Sequence, residues 1–442
     1  MDTLHKIKPF ILNIILIGLI LFFMVSILPD ILFSTKYILS WVIIIIGIAI
    51  YSLTIIKTND IFNPVGIFSL VWIVTIGISN FKLSAWQSNW SVKMWFVVTI
   101  FYISFLLGYF LISKFTKHSR DKFIDGEPSE NNFKRFIYIL FFVCFAAYLA
   151  EVMKSGFLPI IASGTGAYKE FGIRFVHYFT VTLVLVNILI TLYYFKFKMI
   201  NKWFIIIYIL SFLSIFTLLS RQLLIFLILI TVLSFHYLYK KIKITHLGLM
   251  LLIGFIAFAL LGNLRSNSSS YILEVGRMIE GVDSPIFAWL YLYLGYSFEN
   301  LNYYINNFDQ LFWGTNTFFP IFAFTLTKKF IETDMTQFFP YVDLNTSTMA
   351  YDFFLDFGVF GVILFPLLIG GLSAIIYSKV NRSSFYSVII YTMIAHNLLF
   401  VFFVNFFSNT AWFFHMAIII LFIFYTKNNS FSNPLKLIKV RK

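Results

Sequence analysis

The chain has 442 residues, of which 60% are hydrophobic and only 12% charged, a balance that no soluble globular surface carries. A net charge of +14 raises nucleic acid as a partner, but the basic residues fall in short clusters between apolar spans rather than on one soluble face, which is a topology signal. The single cysteine, Cys144, lies inside an apolar run, so an intrachain disulfide and a cysteine zinc cluster are both excluded.

Taken in chain order, apolar segments near 9–29, 37–56, 61–79, 94–113, 136–152, 176–195, 203–219, 222–238, 246–262, 351–375, 384–404 and 409–426 each suit a transmembrane helix. The expected fold is therefore all-α, a polytopic integral membrane helix bundle of about twelve transmembrane helices, treated as one domain over 1–442. Strands are not expected, because barrel strands alternate apolar and polar residues and these runs do not. Met1 to Lys8 precede an apolar run long enough to span, with no small-residue cleavage site, so no cleavable signal peptide is expected. The segment 61–79 is the weakest, since Asn63-Pro64 interrupts its start. Trp203 to Tyr239 is too long for one crossing, and Ser220-Arg221-Gln222 breaks it into a hairpin.

With the amino terminus cytoplasmic, the inner segments hold 22 Lys and Arg in about 72 residues and the outer ones 11 in about 139. That asymmetry satisfies the positive-inside rule and puts both termini in the cytoplasm. The outer segment 263–350 is then a large extracytoplasmic loop, too long for an ordinary connection between packed helices. Within it, Tyr271 to Ile279 and Phe287 to Ile305 suit interfacial helices, and Phe318 to Leu326 a re-entrant piece.

Charges near the outer membrane face are the informative ones, since an ionised group at membrane depth costs several kcal/mol unless paired or hydrated. Arg221 stands at the tip of the hairpin, where a guanidinium either grips a phosphate or merely snorkels at a helix end. Arg265, Arg174 and Arg277 are further cations for such an anion site, or else topology residues. His177 follows Arg174 by one helical turn, which would put both on one face. Asp352 and Asp356 are four residues apart on a helical face, either as chemistry or as helix-start acids. His396 and His415 fall in the last hairpin, where helix-helix hydrogen bonding is the bland alternative. Asp356-Phe357-Gly358 spells a kinase triplet without any other kinase element, and no metal-ligand spacing occurs.

The order of features resembles the bacterial oligosaccharide repeat unit polymerases, the Wzy-type O-antigen and capsule polymerases. Gly156-Phe157-Leu158-Pro159-Ile160-Ile161, leading through Tyr168 to Phe171-Gly172, looks like the family's short loop before a helix. Ser220-Arg221-Gln222 is similar to its Ser-Arg turn, and Tyr291 to Asn306 to an aromatic, Asn-rich piece of its large loop. Asn345-Thr346-Ser347-Thr348 and then Asp356-Phe357-Gly358-Val359-Phe360-Gly361 look like its re-entry into the membrane with a Phe-Gly-x-x-Gly pattern. Asp352 and Asp356 depart from it, since relatives often place a glutamate and an asparagine there.

The resemblance implies a GT-C-like, metal-independent and cofactor-free inverting glycosyltransferase in the bacterial inner membrane. Its reaction would move a growing glycan from polyprenyl pyrophosphate to a hydroxyl of an incoming lipid-linked repeat unit at the outer face. Arg221 and Arg265, assisted by Arg174 and Arg277, would hold the pyrophosphate; Asp352, Asp356 and His396 are candidates for the base. Lipid-linked repeat units and membrane lipid would be its partners, together with chain-length regulator and flippase proteins, and no nucleic acid. An O-antigen ligase-like transferase shares this layout. A lipid-linked oligosaccharide flippase is disfavoured by the long outer loop, and a membrane acyltransferase by the lack of a histidine in it.

Overall fold

The computed structural model of the protein describes residues 32, 34–116, 126–162, 170–243, 246, 271–325, 327, 338–341, 344–380 and 384–427. Over these the chain is helical, and pairing of extended backbone is confined to two isolated bridges, Ser84 with Met278 and Pro128 with Lys427. In chain order the helices are α1 (Ile38–Thr58), α2 (Pro64–Ser79), α3 (Val92–Thr116), α4 (Glu130–Ser155), α5 (Val176–Val181), α6 (Leu183–Phe197), α7 (Lys202–Thr217) and α8 (Arg221–Leu238). They continue as α9 (Tyr271–Val275), α10 (Pro285–Gly295), α11 (Ser297–Asn307), α12 (Phe319–Phe324), α13 (Met349–Val380), α14 (Phe385–Leu399) and α15 (Thr410–Thr426). The expected segment 9–29, and 246–262 apart from His246, lie outside the described residues; each of the others has a helical counterpart.

Among the described residues six stretches are long and apolar enough to cross a membrane: Thr35–Thr58, Val92–Thr116, Glu130–Ser155, Val176–Phe197, Arg221–Leu238 and Met349–Val380. Their outward sides are bare hydrocarbon, as lipid as solvent requires: Leu53 is 66% exposed, Phe115 75% and Met153 78%. The protein is thus a helical, membrane-embedded chain.

Local chemistry explains where the helices start and stop. Asn63-Pro64 begins α2 rather than interrupting it, for the Asn63 side chain accepts from the amides of Val65 and Gly66 and proline takes the first turn, where its missing N–H costs nothing. At 16 residues this helix is about 24 Å long, shorter than the hydrocarbon core. The expected hairpin forms, with Leu219 at φ +52° and Ser220 capping α8 through Leu223 N. The segment 176–195 divides into α5 and α6 around Thr182, whose hydroxyl turns back to Tyr178 O at 2.6 Å. Helix α14 ends at Leu399, short of the expected 404, because the chain leaves it to give Val401 O to the amide of Met349.

Contacts cluster into two compact units. The first comprises Met1–Lys117, Lys241–Ile375 and Ile394–Thr410. Its core gathers Tyr37, Ile44, Phe81 and Leu83 around Ile272, Phe287, Tyr291 and Leu292, so α9 and α10 pack on α1 and on the α2–α3 connection. Backbones meet where α3 crosses α13: a Cβ on Gly108 would lie 1.9 Å from Leu367 O, and one on Gly370 2.1 Å from Phe105 O. Only glycine permits that approach. The second unit comprises His118–Lys240, Ile376–Met393 and Ala411–Lys442, and its interior is built on α6, which is buried over most of its length.

Candidate functional site

Helix α13 carries both aspartates of the expected pair, and it is broken just past them. Gly358 stands at φ +59°, ψ −142°, a conformation essentially reserved for glycine. The break strips the carbonyls of the preceding turn of their helical donors, and the loop before α12 replaces them: Phe312 N donates to Leu355 O at 3.2 Å and Trp313 N to Asp356 O at 3.0 Å.

The Asp356 side chain, 0% exposed, completes the clamp. It accepts from Asn316 N at 3.2 and 3.1 Å, Asn316 Nδ2 at 2.9 Å and Thr317 N at 2.5 Å. Both carboxylate oxygens are therefore occupied by the 316–317 turn. Such a carboxylate holds a loop in place and has little left for a substrate.

Asp352, one turn earlier, is hydrogen-bonded by the side chains of Asn405 and Ser408. Asn405 Nδ2 also donates to Ser408 Oγ at 2.7 Å, and Ser408 Oγ lies 3.3 Å from Thr317 O. The hydroxyl has one proton, which serves one of its acceptors at a time. Among the described residues no Lys, Arg or His forms an ion pair with Asp352 or Asp356. Three chain segments thus meet at one carboxylate pair through neutral donors.

His396 belongs to the same unit and is 1% exposed. Its ring centre lies 4.6 Å from that of Phe406 and 5.1 Å from that of Phe400, and Nδ1 is 3.2 Å from Asn397 Oδ1. An imidazole so enclosed orders the segment after α14. His415 falls in the second unit, its ring 5.4 Å from Phe226.

The cations distribute as follows. Arg277, in the first unit, is exposed at φ +40°, with its guanidinium carbon 4.4 Å from the centre of the Trp86 ring. Its carbonyl accepts from Ala85 N at 2.8 Å, and Trp86 Nε1 donates to Val275 O at 3.0 Å, so guanidinium and indole sit on joined backbones. Arg221 is the half-buried first residue of α8 and Arg174 is exposed, its guanidinium carbon 5.3 Å from the Phe175 ring; both belong to the second unit. Arg265 lies outside the described residues. Arg174 and Phe175 precede α5, and Phe175 has φ +67°, so the helical-face relation expected between Arg174 and His177 does not hold.

Among the described residues three buried carboxylates were not singled out by sequence: Asp60, 5% exposed, which accepts from Phe62 N at 2.9 Å, Glu151 and Glu299. Glu151, 0% exposed near the end of α4, accepts from Ile173 N at 2.9 Å and faces His177 Nδ1 at 3.1 Å. Glu299, 2% exposed on α11, pairs with Lys82 at 3.2 Å and accepts from Ser88 N at 3.1 Å, Ser88 Oγ at 2.8 Å and Asn302 Nδ2 at 3.2 Å. Lys82 stands at φ +52°, its ammonium 4.7 Å from the Trp90 ring centre. A lone acid at the end of an apolar run is the signal that marks Glu151.

Among the described residues no group of three or more His, Cys, Asp or Glu could hold a metal ion. What the first unit offers chemically, among its described residues, is a carboxylate held by neutral donors on a broken helix, a clamped loop beside it, and an exposed guanidinium stacked on an indole elsewhere on the unit. No family model matches the chain, and neither a curated protein nor a solved structure matches it.

Proposed function

We propose that the chain is a membrane glycosyltransferase that polymerises polyprenyl-pyrophosphate-linked oligosaccharide repeat units at the outer face of the bacterial cytoplasmic membrane, in O-antigen or capsule biosynthesis. On this reading it has about twelve spans, both termini are cytoplasmic, and residues 263–350 face outward. The observation that carries the reading is Asp352, a carboxylate held by Asn405 and Ser408 with no ion-pair partner among the described residues.

The transfer needs one group to take a proton and others to receive negative charge. Of the three candidates for the base, Asp356 has both oxygens filled and His396 is enclosed by aromatic rings, which leaves Asp352. The acceptor hydroxyl attacks the anomeric carbon of the lipid-linked donor as its proton passes to Asp352. The bond from that carbon to the pyrophosphate oxygen breaks, and its electron pair leaves on the polyprenyl pyrophosphate. A single displacement of this kind inverts the anomeric configuration. Guanidinium groups stabilise the departing charge; Arg277, exposed and stacked on Trp86, is suited to a bidentate grip, and Arg174, Arg221 and Arg265 are the other residues proposed for it.

A deletion strain tests the proposal. The expected phenotype is lipid carrying single repeat units at the cell surface, restored to long polymer by the wild-type gene and not by Asp352→Asn at equal protein level. Polymer of normal length in the deletion strain, or repeat units retained on the inner leaflet as in a flippase defect, overturns it.

A further inference from the structure

We infer that Trp313 is the sugar-stacking residue of this site, the indole on which a pyranose ring of the lipid-linked substrate lies. The inference rests on the glycosyltransferase reading and adds to it the residue that would recognise the glycan.

Tryptophan normally hides most of its area, and its backbone seldom enters the left-handed region. Trp313 does neither: φ is +50° and the residue is 76% exposed. The unfavourable backbone is held by bonds already described, from Trp313 N to Asp356 O and from Phe312 N to Leu355 O. On the other side Gly314 is fixed at φ +94°, where a Cβ would lie 2.8 Å from the Phe318 ring and 3.1 Å from that of Phe357. Asp356 then secures Asn316 and Thr317. The fold thus spends a buried carboxylate, two helix carbonyls and a strained residue on one short loop, and the loop presents a bare indole.

A rigid, exposed aromatic face suits a sugar. The apolar C–H face of a pyranose packs flat on a ring whose π-cloud is electron-rich, and little conformational entropy is lost because the ring is already fixed. The loop also delivers the carbonyl of Thr317, which Ser408 approaches, and Ser408 in turn bonds Asp352. The residue that would hold the sugar and the residue that would take its proton are therefore set by one connected network. The competing occupant is lipid headgroup, since tryptophan is enriched at membrane interfaces and Phe318 and Ile321 nearby are 40% and 48% exposed. An interfacial anchor, however, requires only apolar bulk at the right depth and no strained, carboxylate-clamped backbone.

The test uses purified full-length protein in nanodiscs with two probes: the lipid-linked single repeat unit extracted from the deletion strain, and the same oligosaccharide released from its lipid by mild acid. Trp313→Ala is expected to raise KM for the lipid-linked unit about tenfold with kcat within about twofold. Trp313→Phe should recover most of that loss and Trp313→Leu should not. Saturation-transfer NMR should show the lipid-free oligosaccharide binding wild type and Trp313→Phe, and not Trp313→Ala. An unchanged KM in Trp313→Ala, or a Trp313→Leu variant that behaves as wild type, assigns the indole to the membrane and overturns the inference. Should wild type polymerise nothing, the glycosyltransferase reading fails, and the lipid-free oligosaccharide still decides Trp313: binding lost only in Trp313→Ala supports it, whereas equal binding in both, or none in wild type, overturns it.

Discussion

The carboxylate of Asp356 and the backbone amide of Thr317, 2.5 Å apart, join α13 to the loop before α12 at a point where the helix has been opened by Gly358. Side chain and main chain of Asp356 act together there, one on residues 316–317 and the other on Trp313. The aspartate one turn earlier has a different set of partners, and the two residues should respond differently to loss of charge.

Asp356→Asn keeps the shape and removes the charge that strengthens each of these hydrogen bonds, and one of its side-chain atoms becomes a donor facing donors. Hydrogen bonds to a charged acceptor contribute about 1.5–3 kcal/mol each, and an unmatched buried donor adds a desolvation penalty. The loop should open locally rather than the whole chain unfold. Hydrogen exchange of the peptide covering 312–318 should accelerate about a hundredfold in Asp356→Asn, with the rest of the protein unaffected.

Asp352→Asn should leave that exchange pattern as in wild type and, under the proposed function, abolish polymer formation. Removal of a general base costs about 10²–10⁴-fold, whereas loss of an orienting donor costs less, so Asn405→Ala should retain a measurable fraction of the rate. Chain-length distribution and initial rate on the lipid-linked single unit separate the two. An Asp352→Asn protein with wild-type rate would remove Asp352 from the chemistry and leave it as a tie between α13 and the 405–408 segment.

Gly358→Ala isolates backbone strain from packing, because a Cβ at this position meets nothing closer than Leu311 Cδ2 at 3.7 Å. At φ +59°, ψ −142° the added methyl group clashes with its own backbone, a cost of about 1–3 kcal/mol. The variant should unfold at a lower temperature in detergent. A Tm equal to wild type would mean that the helix closes over the break without penalty.

The helices were legible because lipid leaves composition few options: long apolar runs, short basic clusters between them, and breaks at Ser220 and Asn63-Pro64. Even there chemistry had to choose, since Asn63-Pro64 reads as an interruption in hydropathy and as a cap in hydrogen bonds. The carboxylate pair was legible from its spacing of four, yet the division of labour between Asp352 and Asp356 was not. Asp356 is defined by Asn316 and Thr317, forty and thirty-nine positions away, and nothing local announces them. Distance in sequence also hides Glu299, whose ion-pair partner Lys82 is 217 residues away, and Glu151, whose partner His177 is 26 away.

That long-range ion pair gives a pH dependence of unusual sign. Burial pushes the Lys82 ammonium down from 10.5 to about 8, and the Glu299 carboxylate only partly offsets this. Lys82 lies in the α2–α3 connection, so water rather than lipid sets its proton supply. Between pH 8 and 10.5 the folded chain has released this proton while the unfolded chain still binds it. Stability rises with pH wherever the unfolded state holds more protons, so this lysine makes the protein more stable as pH climbs through that window. An ordinary lysine gaining a partner does the reverse. Thermal unfolding in detergent at pH 7.5, 8.5, 9.5 and 10.5 should show wild type gaining relative to Lys82→Met, which has no proton to lose. A difference that is flat, or that falls with pH, would mean that Glu299 rather than desolvation governs the pair.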